Sequence, residues 1–194
     1  DMLTLEHYEW VLENRQVWRA FYNTMFLGIA GATATMILGG MVAYVSVRTR
    51  WRGRRLIGSL AWLPWMMPGM VLGIGYILFF NAPSNPLNVL YGTMAILVLS
   101  TLVHFYSSSH LTALTALKQI DSEFEAVSAS LKVPFFKTFL VVTVPVCLPA
   151  ILEISRYFFV NAMTTISAAV FLYSPDTRLA SVAILNLDET ISRQ

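Results

Sequence analysis

The stretch AFYNTMFLGIAGATATMILGGMVAYVSV, Ala20–Val47, decides the fold class. It contains no Asp, Glu, Lys or Arg, and a helix needs only about 20 apolar residues to cross a bilayer. A second charge-free run covers Leu56–Leu117, and charged residues make up only 12% of the 194-residue chain. Soluble domains carry about 25%. The sequence therefore predicts an all-α, polytopic transmembrane helical bundle.

Four spans fit this hydropathy pattern. They cover Ala20–Val47, about Leu56–Phe80, about Val89–Leu111 and about Cys147–Leu172. The second span contains Pro64, Pro68, Gly69, Gly73 and Gly75, which predicts a kinked helix because each proline removes a backbone donor.

One face of the first span carries only small residues. Gly31, Thr35, Gly39 and Ala43 recur every four positions. Small residues at this spacing let a second helix approach closely in a membrane. We therefore expect this face to be buried against another helix.

The distribution of basic residues predicts the topology. Arg48–Arg55 holds five arginines, whereas the turn-rich Asn81–Asn88 holds no charge. Short loops rich in Lys and Arg stay in the cytoplasm. The arginine loop and the segment 118–145 are thus predicted to be cytoplasmic, and Asn81–Asn88 external. The mixed, partly amphipathic residues 1–19 are predicted to form an interfacial lead-in helix.

A polar, proline-containing segment lies between the third and fourth spans. It reads EFEAVSASLKVPFFKTFLVVTVPVCLP, Glu123–Pro149. Ser122 is a candidate N-cap for a helix to Leu131, and acidic residues in the first turn suit the helix dipole. Lys132-Val133-Pro134 should end that helix, and Phe135–Val144 should restart it. Residue chemistry alone thus predicts a cytoplasmic helix–turn–helix, either a docking element or a rigid interfacial loop without a partner.

Several function classes find no support in the sequence. Cys147 is the single cysteine, so an intrachain disulfide and a multi-cysteine metal site are excluded. His104 and His110 are six residues apart and do not share a helical face, so no metal site is predicted. The net charge of +2 is too small to indicate nucleic acid binding. No motif of a membrane-embedded hydrolase is present.

The polar, proline-containing segment Glu123–Pro149 resembles the cytoplasmic loop of permease subunits in binding-protein-dependent ABC importers. That family pattern is Glu-Ala-Ala, three residues, Gly, nine residues, Ile, one residue, Leu-Pro. Anchoring its proline on Pro145 places Val142 and Val144 at the Ile and Leu positions, and Lys132 at the Gly position. Its Glu-Ala-Ala positions then fall on Ala126, Val127 and Ser128. Anchoring instead on Glu125–Val127 misses the proline by one residue.

Three further stretches extend the resemblance over nearly the whole chain. LPWMMPGMVLGIGY, Leu63–Tyr76, and ALKQIDSEFEA, Ala116–Ala126, are similar to the iron, thiamine and phosphonate branch. NAMTTISAAVFLYSPDTRLASVAIL, Asn161–Leu185, is most like permeases for 2-aminoethylphosphonate. The family core has five spans, so the resemblance implies that residues 1–194 are a fragment of one transmembrane permease domain.

The resemblance implies a multi-pass permease of the bacterial inner membrane, without a cofactor or catalytic residue of its own. ATP would be bound by separate ATPase subunits, and a second permease half and an external substrate-binding protein would complete the importer. Segment 118–145 would be the cytoplasmic coupling loop. The residues expected to contact the ATPase are Glu123, Glu125, Ala126, Val127, Ser128, Leu131, Lys132, Phe135, Phe136, Phe139 and Pro145. Glu125 and Lys132 would form ion pairs at the rim, and the phenylalanines would supply apolar anchors.

A polar stripe in the fourth span has two interpretations. It consists of Glu153, Arg156, Tyr157, Asn161 and Thr164. Ionisable residues within spans are costly and often functional, so the stripe is a candidate translocation path in which Arg156 attracts an anion. Alternatively, Glu153 and Arg156 neutralise each other as an i, i+3 pair.

The solute remains open at this stage. The resemblance favours 2-aminoethylphosphonate, with ferric iron, thiamine or sulfate-like anions as alternatives within transport. A non-transporting membrane scaffold, or an inactive fragment, is the alternative from another class.

Overall fold

The computed structural model describes residues 14–48, 52–121 and 123–191, and within them every regular element is helical. The α-helices are α1 (Arg15–Arg48), α2 (Arg54–Leu60), α3 (Leu63–Met66), α4 (Gly69–Phe80), α5 (Met94–Gln119), α6 (Glu123–Ser130), α7 (Phe135–Thr138), α8 (Val144–Val146), α9 (Leu148–Thr164) and α10 (Ala180–Ile191). Short 3₁₀ helices cover Pro86–Leu90 and Ala169–Phe171, and a π-helical turn covers Phe139–Thr143. The all-α prediction is confirmed.

Two helices, α1 and α5, are long and apolar enough to cross a membrane. Two interrupted pairs, Arg54–Met66 with Gly69–Phe80 and Phe135–Val146 with Leu148–Thr164, raise the number to four if each pair is one span. Each of the four predicted spans overlaps one of these helices or pairs, but the last helix, α9, ends at Thr164 and not at Leu172. Residues 1–13 of the predicted lead-in lie outside the described residues, and Arg15–Arg19 already belong to α1.

The second span is interrupted rather than merely kinked. It contains three helices, and Pro68 lies in an extended conformation at the start of α4. Proline cannot donate to the preceding turn, and its ring clashes with the carbonyl four residues earlier. A single kinked helix over Leu56–Phe80 was therefore the wrong expectation for this stretch.

The chain divides into two compact units. The first unit comprises the described parts of 1–31, 67–104 and 159–194. Within it, a Cβ on Gly73 would lie 2.7 Å from the Phe171 ring and 3.3 Å from the Ala168 Cα atom. Glycine is thus required for the close approach of α4 to the Ala169–Phe171 turn. The loop after α4 is fixed by Asn85 and Asn88, whose amides donate to the carbonyls of Phe79 and Phe80 at 2.8 Å.

The second unit comprises the described parts of 32–66 and 105–158. Its core is a cluster of buried side chains from α1, α5 and α9, with one residue just after α5: Ala43, Ala113, Leu117, Ile120 and Ile154. A Cβ on Gly39 would lie 3.9 Å from the His110 backbone nitrogen. All four residues of the small-residue face of α1 are buried, as predicted.

The entry into the fourth span is bent rather than continuous. Phe135–Val146 and Leu148–Thr164 meet at 68°. Pro145 withdraws a backbone donor from the turn that precedes it, and that turn, Phe139–Thr143, is π-helical. A helix does begin at Phe135, as predicted, but the stretch from Phe135 to Val144 is not a regular α-helix.

Candidate functional site

The candidate coupling segment begins with a side-chain cap. The Asp121 carboxylate accepts a hydrogen bond from the Glu123 backbone nitrogen at 3.0 Å. Glu123 and Glu125 lie in the first turn of α6, where negative charge is favourable. The predicted cap, Ser122, lies outside the described residues.

The turn after α6 has the backbone geometry that the family pattern assigns to glycine. Lys132 has a φ of 55° and is the one non-glycine residue with positive φ in the described part of the chain. The Lys132 nitrogen donates to the Ala129 carbonyl at 3.1 Å, and the Val133 nitrogen donates to the Ser128 carbonyl at 2.9 Å. These two bonds form a Schellman C-cap. The left-handed residue therefore falls at the position that the Pro145 anchor gives to Gly, although lysine occupies it.

Arg48, in the last turn of α1, joins three parts of the second unit. Its Nη2 donates to the Ile120 carbonyl at 2.7 Å and to the Leu117 carbonyl at 3.3 Å, at the end of α5. Its Nε lies 3.4 Å from Glu125 Oε1 in α6. Cations suit the carbonyl end of a helix, and a guanidinium can serve several acceptors at once. Arg48 thus fixes α6 to the ends of α1 and α5.

Glu125 is engaged within the chain. Besides the ion pair with Arg48, its Oε1 accepts a hydrogen bond from the Tyr44 hydroxyl at 3.2 Å. A rim ion pair between Glu125 and another subunit stays a prediction. The Glu125 carboxylate holds α6 onto α1, because both of its described polar partners, Tyr44 and Arg48, belong to α1.

The three phenylalanines after the turn are not equivalent. The rings of Phe135 and Phe139 lie 5.4 and 5.6 Å from the Tyr44 ring. Phe135 and Phe139 therefore pack within the chain, and their part in anchoring the ATPase stays a prediction. Phe136 is 68% exposed. Phe135 packs on Tyr44 but is also 58% exposed, so Phe136 is the most exposed of the three rings and the one without a ring contact among the described residues.

The remaining candidate coupling residues are mostly exposed. Val127 and Leu131 are exposed apolar side chains, and Phe124 adds a third that the sequence analysis did not assign. Ser128 is half-buried and uses its carbonyl in the turn. Exposed as well are Glu123, Ala126, Lys132 and Pro145. None of the residues of α6 is buried, so this helix is attached to the second unit through one side only.

The polar stripe of α9 divides into separate local arrangements. Arg156 Nη2 donates to Glu153 Oε1 at 3.1 Å, and both side chains are more than half exposed. The Tyr157 hydroxyl donates to Ser108 Oγ at 3.2 Å. Glu153 and Tyr157 line a cleft of about 230 Å³ with Trp62, Trp65 and residues of α5. The i, i+3 pair of the second interpretation is therefore present, and one of its members lines a cleft.

The two other members of the stripe belong to the first unit. The Thr164 hydroxyl donates to the carbonyls of Val160 and Asn161, each at 3.3 Å, so it bonds within its own helix. Asn161 is half-buried. Common participation of all five residues in one path remains a prediction.

The histidines do not form a metal site among the described residues. No group of three or more His, Cys, Asp or Glu side chains is placed there to hold an ion. His110 is buried and stacks on Tyr106 at a ring distance of 5.6 Å. His110 thus serves packing within the second unit.

Sequence reasoning missed the role of Arg48. The charge pattern marked it only as one of five arginines in a cytoplasmic loop. Its position could have indicated a structural role, because Arg48 directly follows the charge-free run and lies in the last turn of α1. Its three partners are 69 to 77 residues away, and separation in sequence concealed them.

Comparison with known proteins identifies the family of this chain. Residues 35–192 match the family described as binding-protein-dependent transport system inner membrane component. The chain is 36% identical over 169 residues to the ferric transport system permease protein FbpB of Actinobacillus pleuropneumoniae, covering 87% of this chain and 24% of that protein. It is 34% identical over 162 residues to the putative ferric transport system permease protein FbpB 1 of Haemophilus influenzae, covering 84% of this chain and 25% of that protein.

The fold has a counterpart among solved structures. It superposes with a TM-score of 0.74, at 19% identity, on a chain from the crystal structure of a bacterial ABC transporter involved in the import of the acidic polysaccharide alginate. The match covers 93% of this chain and 61% of the other. The chain spans about a quarter of the length of the two ferric permeases it matches. By the family match over most of its length, the chain belongs to the inner-membrane components of binding-protein-dependent transport systems and is a multi-pass inner-membrane protein.

Proposed function

We propose that this chain is the part of an ABC importer permease that receives the motion of a separate ATPase through residues 118–145. The observation that carries the proposal is the mounting of α6. Arg48 and Tyr44 hold one side of this helix through Glu125, while Phe124, Val127 and Leu131 are exposed. A helix fixed to two long helices and apolar on its exposed side suits a docking element in a groove.

The mounting suggests how motion would pass into the membrane. A force on α6 acts on Arg48, which is bonded to the end of α5 and is itself the last residue of α1. Rigid elements joined in this way move together, and tilting helices change access to a path. The permease would hydrolyse nothing itself, and ATP would be bound by its partner.

We propose ferric iron as the solute. Both ferric transport permeases reported above are similar to this chain over more than four fifths of its length. Neither is named for a phosphonate, so 2-aminoethylphosphonate, the solute favoured by the sequence resemblance, is not retained. The family description supports an external binding protein as a partner, and a second permease half is proposed with it from the resemblance to ABC importers.

Reconstituted transport tests both parts of the proposal. The full-length permease with its ATPase and binding protein is placed in liposomes, and ATP hydrolysis is measured with the binding protein loaded with Fe³⁺, with 2-aminoethylphosphonate or with thiamine. We expect stimulation and uptake with Fe³⁺ alone. Stimulation by another solute would reject the iron assignment, and absence of any ATPase association would favour the membrane scaffold.

A further inference from the structure

A pocket in the first unit is built around a loop that is firmly fixed to α1. The Asn23 amide donates to the carbonyls of Asp176 and Arg178 at 2.9 and 3.0 Å. One residue later on α1, Thr24 Oγ1 accepts from the Ala180 nitrogen at 2.8 Å and caps α10. These bonds fix the backbone of residues 176–180. The pocket wall that this loop forms is therefore preorganised.

The pocket carries an excess of positive charge. Its volume is about 370 Å³, and it is lined by Arg15, Gln16, Arg19, Ala20, Pro175, Asp176 and Arg178. Arg19 pairs with Asp176 at 2.8 Å. Within the described part of the chain, Arg15 and Arg178 make no ion pair, so three guanidinium groups share one carboxylate.

Arg178 has unused donor capacity at this pocket. Its Nε is buried and has no hydrogen-bond partner among the described residues. A buried donor without a partner is costly, so such a group gains when an acceptor reaches its guanidinium. Guanidinium groups match the paired oxygens of phosphate and carboxylate geometrically. The pocket is thus suited to an oxyanion.

The surroundings indicate which oxyanion. Arg15 and Arg19 lie in the first turns of a helix long enough to span the membrane. Beside them, Trp18, Phe21 and Tyr22 form a cluster of exposed rings with centroids 6.0 to 6.1 Å apart. Aromatic side chains of this kind gather at the level of lipid headgroups. We propose that the pocket of Arg15, Arg19 and Arg178 binds the phosphate group of a membrane phospholipid.

The test uses the full-length permease in its assembled complex, stripped of lipid in detergent. Short-chain phosphatidylglycerol and inorganic phosphate are titrated separately, and binding is followed by calorimetry. We expect Arg178→Gln to weaken phosphatidylglycerol binding about tenfold, because a charged hydrogen-bonded pair is lost. Asp176→Asn should tighten it about threefold or more, because it removes the one carboxylate among the described residues that line the pocket. Arg52→Gln, an exposed arginine of the second unit, is the matched control and should change nothing.

Each outcome has a defined meaning. Lipid binding that weakens in Arg178→Gln and tightens in Asp176→Asn supports the phospholipid site. If inorganic phosphate saturates the pocket with the same affinity as phosphatidylglycerol, the oxyanion site is supported but its ligand is the free ion and not the lipid. Binding of both probes unchanged in Arg178→Gln overturns the proposal. The proposal is also overturned if neither probe binds. In that case, weaker association of Arg178→Gln with the external binding protein would assign the arginines to protein docking.

Discussion

The second unit contains two Arg–Glu pairs with opposite structural roles. Arg48 and Glu125 have side chains that are 8% and 29% exposed, and they join parts of the chain far apart in sequence. Arg156 and Glu153 are 74% and 53% exposed and lie one turn apart on the same helix. The presence of an ion pair therefore does not determine its contribution to stability, because burial and the number of further acceptors decide that contribution.

Arg48→Gln should have the largest effect on stability. It leaves Glu125 partly buried without its cation and removes the donor from the carbonyls of Leu117 and Ile120. We expect the free energy of unfolding to fall by about 3 kcal/mol. The measurement is thermal unfolding of the purified permease in detergent. The control is Arg55→Gln at an exposed position, and equal melting of the two variants would contradict the role given to Arg48.

Phe136→Ala should separate docking from folding. Its ring is exposed and has no ring contact among the described residues, so unfolding should change little. If it anchors the ATPase, association should weaken by about 2 kcal/mol. Phe135→Ala is the matched variant, and it should destabilise the permease by about 1 kcal/mol because its ring packs on Tyr44 and Phe139. Pull-down of the ATPase together with melting of each variant checks both, and reversed behaviour would contradict the assignment.

Lys132→Gly should stabilise the segment slightly. Lys132 has positive φ, which costs a residue with a side chain about 1–2 kcal/mol. Glycine removes this cost, but its greater flexibility in the unfolded chain offsets part of the gain in stability. We expect a net gain of about 0.5–1 kcal/mol. The same melting experiment measures it. Val133→Gly, at the next residue, is the control and should not stabilise.

Glu153→Gln and Arg156→Gln should have the smallest effect on stability. Both side chains are largely exposed and their pair is local, so each change should cost about 0.5 kcal/mol or less. Glu153 also lines the cleft of the candidate translocation path, so Glu153→Gln should nevertheless lower Fe³⁺ uptake at unchanged membrane abundance, because it removes a carboxylate from that cleft. Unchanged uptake would leave the pair as a locally neutralised one without a transport role.

Local chemistry predicted a large part of this architecture. Charge-free runs gave the approximate positions of the spans, and Pro134 marked the end of α6, whereas Pro68 was expected only to kink the second span and instead interrupts it. The candidate coupling segment was located in the same way. The helix at Glu123 and the turn at Lys132 depend on capping and turn chemistry that a short window contains.

Long-range contacts lay beyond that reasoning. The reach of Arg48 to Glu125 and the packing of Phe135 on Tyr44 depend on where separate helices end in space. The pattern of aromatic and acidic residues was therefore assigned outward, to a partner, when part of it faces the chain itself. The pocket at Arg178 was missed for the same reason, since its walls come from residues 15–20 and 175–178.

The most direct test of the central claim is site-specific cross-linking in the assembled transporter. A photoreactive side chain is placed at Val127, Leu131 or Phe136 in turn, and at Ser84 in the loop predicted to be external. We expect ATPase adducts from the three positions of the coupling segment and none from Ser84. Assembled complexes that give no adduct from any of the three positions would contradict it.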